Sequence, residues 1–264
     1  MPPPVPVLKP ENAMPTIWTD WMEEQDTPCF LCTPKDRQEL VALLESAPNL
    51  RTLRIRAKGS GHSSSEVGAP RRGGFVVDFR RFSLDSAQIA PSWWKQAWKT
   101  AKPGALRHDA TLARVAGSMT VAKLNSSLRN ENPARAVLNL GSYDAQTVAG
   151  VVSTATHGSG MVSGPISDFV VSIELVSVVK DVHGNPEVKS FRIEPKDGVT
   201  DPVKFRAATA LHGMELVQED DAFYSAVVGL GCFGIVTALT LQVVPAFSLV
   251  ERRALHAWSE LAPR

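Results

Sequence analysis

The residues best suited to chemistry in this chain are those of the run Lys58-Gly59-Ser60-Gly61-His62-Ser63. Glycines let the backbone enter φ > 0 and turn successive N–H groups toward one point, which makes a cradle for an anion. The histidine beside that cradle is set at close quarters to whatever the cradle holds. A second segment of the same character runs from Asn139-Leu140-Gly141-Ser142-Tyr143-Asp144 through Gln146-Thr147-Val148-Ala149-Gly150 to Thr154-Ala155-Thr156-His157-Gly158-Ser159-Gly160. It offers small residues, hydroxyls and a helix start, again with a histidine at its end. Either string alone is a common surface turn. No G-x-G-x-x-G opens a helix, no acid follows at the Rossmann distance, and no Gly-Lys-Ser/Thr completes a P-loop.

The sulfur chemistry is weaker. Cys29 and Cys32 form a C-x-x-C, but no second cysteine pair or H-x₃-H follows, and Cys232 stands alone in a glycine-rich turn. The expectation is three reduced thiols, with the pair near the start of a helix, and an intracellular (cytoplasmic) location. No metal site is expected.

The elements that must position these residues read as follows. Thr33-Pro34-Lys35-Asp36 predicts a helix start, with Thr as N-cap and Pro at N1, and Leu40, Val41, Leu43 and Leu44 supply its stripe. A strand at 53–57 then delivers the His62 loop, and Phe75–Phe79 is a short buried strand. Residues 85–109 carry Trp93, Trp94 and Trp98 among lysines and read as an exposed insertion. Leu112–Ala116 is strand-like, Gly117-Ser118-Met119-Thr120 a turn, and Val121–Leu128 a helix with Val121, Leu124 and Leu128 on one face. Thr147–Ala155 reads as a small-residue helix. Phe169–Val179 and Val188–Ile193 form a hairpin about His183-Gly184-Asn185. Residues 195–218 read as a surface loop, Asp220–Val228 as a helix, and Ile235–Val244 as a strand after Gly229-Leu230-Gly231-Cys232-Phe233-Gly234. Residues 1–15 read as a flexible tail, within an N-terminal tail set at 1–24.

With 264 residues, 44% apolar and 21% charged, the chain has ample core for one large domain or two small ones. A net charge of +1 provides no field to recruit nucleic acid or an anionic membrane. No apolar run reaches the roughly 18 residues of a membrane span.

Four strings in order over 25–247 resemble the FAD-binding, PCMH-type domain of the vanillyl-alcohol oxidase / p-cresol methylhydroxylase superfamily. They are Gly59–Ser63, Gly117–Thr120, Gly141–Gly160 and Gly229–Thr237. Within that superfamily they resemble the sugar-1,4-lactone (D-arabinono-1,4-lactone) and alditol oxidase branch. The resemblance implies an α+β fold in which two α/β subdomains, 25–84 and 110–247, clamp FAD. It also implies a cap domain beyond the FAD domain, of which 248–264 would be the start and which the chain is expected to lack.

By the same resemblance, backbone amides of Lys58, Gly59, Ser60, Gly61 and Ser63 hold the pyrophosphate, and His62 carries the flavin 8α carbon covalently. A neutral imidazole nitrogen is a competent nucleophile for that bond. Ser142, Thr147, Gly150, Thr154, Ala155, Thr156 and His157 match positions around the ring and phosphates, and Val236 matches the adenine end. Ser142 also lies on the substrate side, the one catalytic candidate, and Gly141 matches the residue over the edge that meets oxygen. The segment 140–150 has no cysteine for a second attachment. The residues themselves leave plainer roles open: His62 as a hydrogen-bonding loop histidine, His157 as a structural cap, Thr154 and Thr156 back-bonding within their own turn, and Gly229–Gly234 serving packing.

The implied activity is FAD-linked oxidation of a CH–OH group in a sugar lactone or polyol, with hydride passing to flavin and oxygen as acceptor. The alternatives are a truncated, non-catalytic FAD-binding module and a berberine-bridge-like or oligosaccharide oxidase.

Overall fold

The computed structural model describes residues 13–46, 55–84 and 111–261, apart from positions 25, 64, 83 and 209–212. Two sheets organise them. The first has four strands in the order β1-β2-β4-β3: β1 Met14–Thr19, β2 Asp26–Cys32, β3 Ile55–Lys58 and β4 Phe75–Asp78. β1 and β2 are an antiparallel hairpin, while β2 and β3 both run parallel to β4. The tail expected over 1–24 therefore joins the fold from Met14. Trp18 fixes it there, buried at 3% exposure with Cys29 and Val76 on one face of this sheet.

Helix α1, Arg37–Glu45, lies between β2 and β3 and buries Leu40 and Leu44. Its N-cap is Asp36 rather than Thr33. The Asp36 carboxylate accepts from the Glu39 amide at 2.8 Å, and Glu39 in turn accepts from the Lys35 amide at 2.8 Å. Cys29 and Cys32 sit within β2, not at a helix start. Residues three apart on a strand face opposite ways, and the two cysteines fall in different core clusters.

The second sheet takes the order β5-β10-β7-β8-β9, with β5 Thr111–Ala116, β7 Val170–Lys180, β8 Pro186–Glu194, β9 Met214–Gln218 and β10 Ile235–Pro245. A two-residue strand β6, Arg135–Ala136, pairs with the end of β10. Helices α2 (Val121–Arg129), α3 (Val148–Ser153) and α5 (Asp220–Val227) cover one face. α2 is capped by the Thr120 hydroxyl, and Val121, Leu124 and Leu128 are its buried stripe.

Residues 195–218 are not a surface loop. Val199 and Thr200 are fully buried, α4 (Pro202–Ala207) inserts Phe205, and β9 extends the sheet parallel to β8. Asp201-Pro202, which reads as a break, is a helix start: Asp201 accepts from the Val203 and Lys204 amides and Pro202 occupies N1. The tryptophan-rich segment 85–109 lies outside the described residues.

β7 is buried without interruption from Val170 to Val176 because both its faces are covered. Ile173 and Leu175 pack under α2, α3 and α5, whereas Val176 joins Ile235 against Leu40, Leu44, Phe75 and Val77 of the first sheet. That shared cluster joins the two sheets. Arg37 adds a hydrogen bond to the Ser190 hydroxyl of β8 at 3.2 Å.

A buried ion network crosses the second sheet. Glu174 accepts from Arg114 on β5 (2.7 and 2.5 Å) and from Arg192 on β8 (2.6 Å), and Arg192 also reaches Glu194 and Thr200. Burial raises the Glu174 carboxyl, but the two guanidiniums outweigh it and the net shift is downward.

Candidate functional site: a cleft between the two sheets

A cleft of about 820 Å³ opens between the sheets, at the large end of the range for small-molecule sites. Its first wall is the loop leaving β3. Lys58, Gly59, Ser60, Gly61, His62 and Ser63 all line it. The five amides of Gly59–Ser63 donate to no acceptor among the described residues, so their N–H groups remain available. Gly61 has φ +75° and approaches the β1–β2 turn, where the Trp21 amide donates to its carbonyl at 3.0 Å.

The second wall comes from β5, α3 and β10. Gly117 and Ser118 follow β5. Thr147, Gly150, Thr154 and Thr156 come from α3 and its ends, and Gly234 to Val236 open β10. These segments are stitched together by backbone hydrogen bonds: Gly117 N–H to Thr237 C=O at 2.9 Å, Ala149 N–H to Gly117 C=O at 3.0 Å, and Val148 N–H to Met119 C=O at 2.8 Å. Gly234, at φ +142°, lets β10 begin where a Cβ would lie 2.6 Å from the Val176 carbonyl.

The two walls also touch. A Cβ on Gly59 would stand 2.7 Å from the Thr147 hydroxyl, and the Ser60 hydroxyl donates to the Ala145 carbonyl at 2.5 Å. The Thr147 hydroxyl caps α3 by accepting from the Gly150 amide at 3.2 Å.

His62 is the distinctive group. Its ring stacks on Trp21 (centroids 5.2 Å apart, 19° between planes) and meets Tyr143 at 4.6 Å and 48°. Its Nδ1 is buried with no hydrogen-bond partner among the described residues.

Not every expected residue reaches the cleft. Ser142, Ala155 and His157 do not line it. Ser142 is exposed beside Tyr143, and the His157 Nδ1 engages the carbonyl of Gly158 at 2.9 Å. Ala155 takes φ +49° at the turn that ends α3. Thr154 back-bonds to the Gly150 carbonyl at 2.9 Å yet still lines the cleft. Trp21 and Tyr143 were not expected at the site, because nothing in their local spacing indicates a contact with His62. Among the described residues there is no His/Cys/Asp/Glu group able to hold a metal ion.

The family model for the FAD binding domain matches residues 28–179. The chain belongs to that family. Its cofactor is FAD, and its fold is the α+β, PCMH-type arrangement. L-gulono-1,4-lactone dehydrogenase of Mycobacterium tuberculosis is 26% identical over 246 residues, covering 92% of this chain and 45% of that protein. D-arabinono-1,4-lactone oxidase of Kluyveromyces lactis is 32% identical over 216 residues, covering 82% of this chain and 32% of the relative. The chain thus spans less than half the length of these curated relatives. Among solved structures, alkyldihydroxyacetonephosphate synthase superposes with a TM-score of 0.52 over 84% of this chain and 32% of that one, at 15% identity. That likeness concerns the fold alone.

The FAD-binding domain suits its cofactor on three local grounds. The amides at 59–63 have no acceptor among the described residues, glycines at 59 and 117 let the wall segments approach where a Cβ would clash, and the buried His62 nitrogen lacks a partner.

Proposed function

We propose that this FAD-binding domain is the cofactor-holding part of an oxidoreductase that takes hydride from a CH–OH carbon of a sugar lactone or polyol, with dioxygen as acceptor. The observation that carries the reading is the convergence of four glycine-bearing segments on one cleft with His62 in its wall. The lactone oxidase and dehydrogenase relatives supply the substrate class. When bound, FAD supplies the hydride-accepting ring.

The chain's own residues bind and orient. Amides of Gly59–Ser63 hold the diphosphate. The hydroxyls of Thr147, Thr154 and Thr156, with the bare backbone at Gly150, form the wall along the cofactor, and backbone groups near Val236 meet its adenine end. Ser142, Ala155 and His157, which stand outside the cleft, act from its margin, Ser142 toward the substrate. Gly141, outside the cleft lining, would stand near the ring edge that meets oxygen, behind Thr156, whose methyl lies 3.2 Å from where its Cβ would be.

A ring nitrogen of His62 would join the flavin 8α carbon. The imidazole N–H proton and one methyl hydrogen would be lost, with dioxygen taking the two electrons released and leaving as hydrogen peroxide. The same proposal places 25–247 as the FAD domain, 248–264 as the start of a cap region, and the protein inside the cell.

The test is acid precipitation of the FAD-loaded chain. Flavin colour and fluorescence should stay with the polypeptide and vanish in His62→Ala, with a flavin-modified peptide spanning His62. Turnover of aldonolactones and alditols with peroxide release then assigns the substrate. Flavin found wholly in the supernatant would refute the attachment, and inertness toward both substrate classes of the loaded enzyme that contains this domain would refute the activity.

A further inference from the structure

We propose that Trp21 and Tyr143 are positioning residues for the attachment of FAD at His62, holding the imidazole in one rotamer with Nδ1 buried, so that the other ring nitrogen is the one left to react. This inference rests on the attachment reading above. Two observations carry it. Both rings pack against the imidazole although each remains half exposed, Trp21 at 55% and Tyr143 at 52%. Core burial therefore does not explain their placement. In addition, Nδ1 is held buried without a hydrogen bond, a state that is costly unless neighbours enforce it.

The rings reach His62 from separate parts of the chain, and each is pinned to the histidine's own loop. Trp21 sits on the β1–β2 turn and its amide donates to Gly61, the residue before His62, at 3.0 Å. Tyr143 lies on the stretch whose Ala145 carbonyl accepts from the Ser60 hydroxyl at 2.5 Å. That stretch is further fixed by the Ala122 amide donating to the Asp144 carbonyl at 2.8 Å. The imidazole is thus oriented before any ligand arrives. An unrestrained histidine has three χ1 wells and about two χ2 orientations, so freeing it dilutes the productive geometry by roughly sixfold.

The chemistry is the bond already described, a ring nitrogen of His62 to the 8α carbon, with two electrons passing to dioxygen. Trp21 and Tyr143 exchange no proton or electron in it.

The experiment follows covalent incorporation of FAD into the full chain by in-gel flavin fluorescence over time, alongside non-covalent affinity measured by fluorescence quenching at early times. Trp21→Leu and Tyr143→Ala should each slow incorporation by about threefold to sixfold while leaving the affinity within twofold. Trp21→Phe should restore the rate. In the FAD-free chain, acylation of His62 by diethyl pyrocarbonate, located by peptide mapping, should accelerate in Trp21→Leu and return to the parent rate in Trp21→Phe. A parent chain that binds FAD but never joins it refutes the attachment reading. Variants that attach and acylate at the parent rate refute the positioning role alone.

Discussion

The close contact of three segments at Gly117 gives a sharp test of how the cleft is built. In Gly117→Ala the new Cβ would lie 2.8 Å from the Val236 carbonyl oxygen and 3.1 Å from the Ala149 Cβ. Ordinary contact requires roughly 0.6 Å of retreat from the carbonyl. Neither neighbour is free to give it. Gly117 donates to Thr237, the residue after Val236, at 2.9 Å, and accepts from Ala149 at 3.0 Å. Retreat stretches one of those bonds toward the limit of useful geometry. Overpacking of this kind costs about 1–3 kcal/mol, and a change of about 2 kcal/mol corresponds to a Tm loss of roughly 4–8 °C in a domain of this size. Gly117 also lines the cleft, so FAD binding should weaken with it. Gly68→Ala is the matched control on the same cleft, since its Cβ meets only the Trp18 ring at an ordinary 3.5 Å. It should be neutral or stabilise by up to about 1 kcal/mol. Thermal denaturation and flavin-fluorescence titration of both variants decide the matter. A Gly117→Ala protein with parental Tm and FAD affinity would refute the account of the cleft as three segments in close contact.

Arg192→Met leaves Glu194 and part of Glu174 uncompensated in the sheet and should cost about 3–5 kcal/mol in urea denaturation. Because Glu174 is held below its ordinary range when folded, its stabilisation is complete above the unfolded carboxyl pKa of about 4.3 and is lost as pH falls through the lower folded value. Glu174→Gln should therefore be less stable near pH 7 and show a flatter acid limb. Burial pushes the Cys32 thiol up to about 11, helped by its neighbour Cys29, and raises Cys29 as well, whereas Cys232 is exposed. Brief iodoacetamide treatment at pH 8 should thus add one label per native chain, at Cys232, and three after unfolding, as read by mass spectrometry.

Much of this site is legible in the sequence. The His62 loop, the Gly117 turn, the α3 region and the Gly234 turn each pair glycines with the end of a regular element, and that local signal survives in the fold. Helix α2 was legible because its threonine cap and its apolar stripe agree in register. The rest depended on tertiary context. Asp201-Pro202 starts a helix or breaks one with equal local logic, and only the core around Phe205 decides between them. The C-x-x-C pair reads as two reduced thiols near a helix start, whereas β2 holds them and sends them to opposite faces. Trp21 and Tyr143 lie far from His62 in sequence, and no periodicity within either segment encodes that meeting.

The arrangement of the walls implies that FAD should behave as a brace for the whole fold. One wall of the cleft belongs to the first sheet and the other to the second, yet the sheets share a single buried cluster in which Val176 and Ile235 pack against Leu40, Leu44, Phe75 and Val77. A ligand spanning both walls cannot remain bound once either sheet opens. Its binding energy therefore adds to the stability of both, by about 2.7 kcal/mol at a free concentration one hundred times its Kd. The expected outcome is one cooperative transition that moves to higher temperature with FAD, identically for circular dichroism and for a spin or fluorescent label placed at Cys232 beside the cleft. If FAD shifts only the Cys232 signal and leaves the bulk transition in place, the cofactor is held by one wall and the two-walled site is wrong.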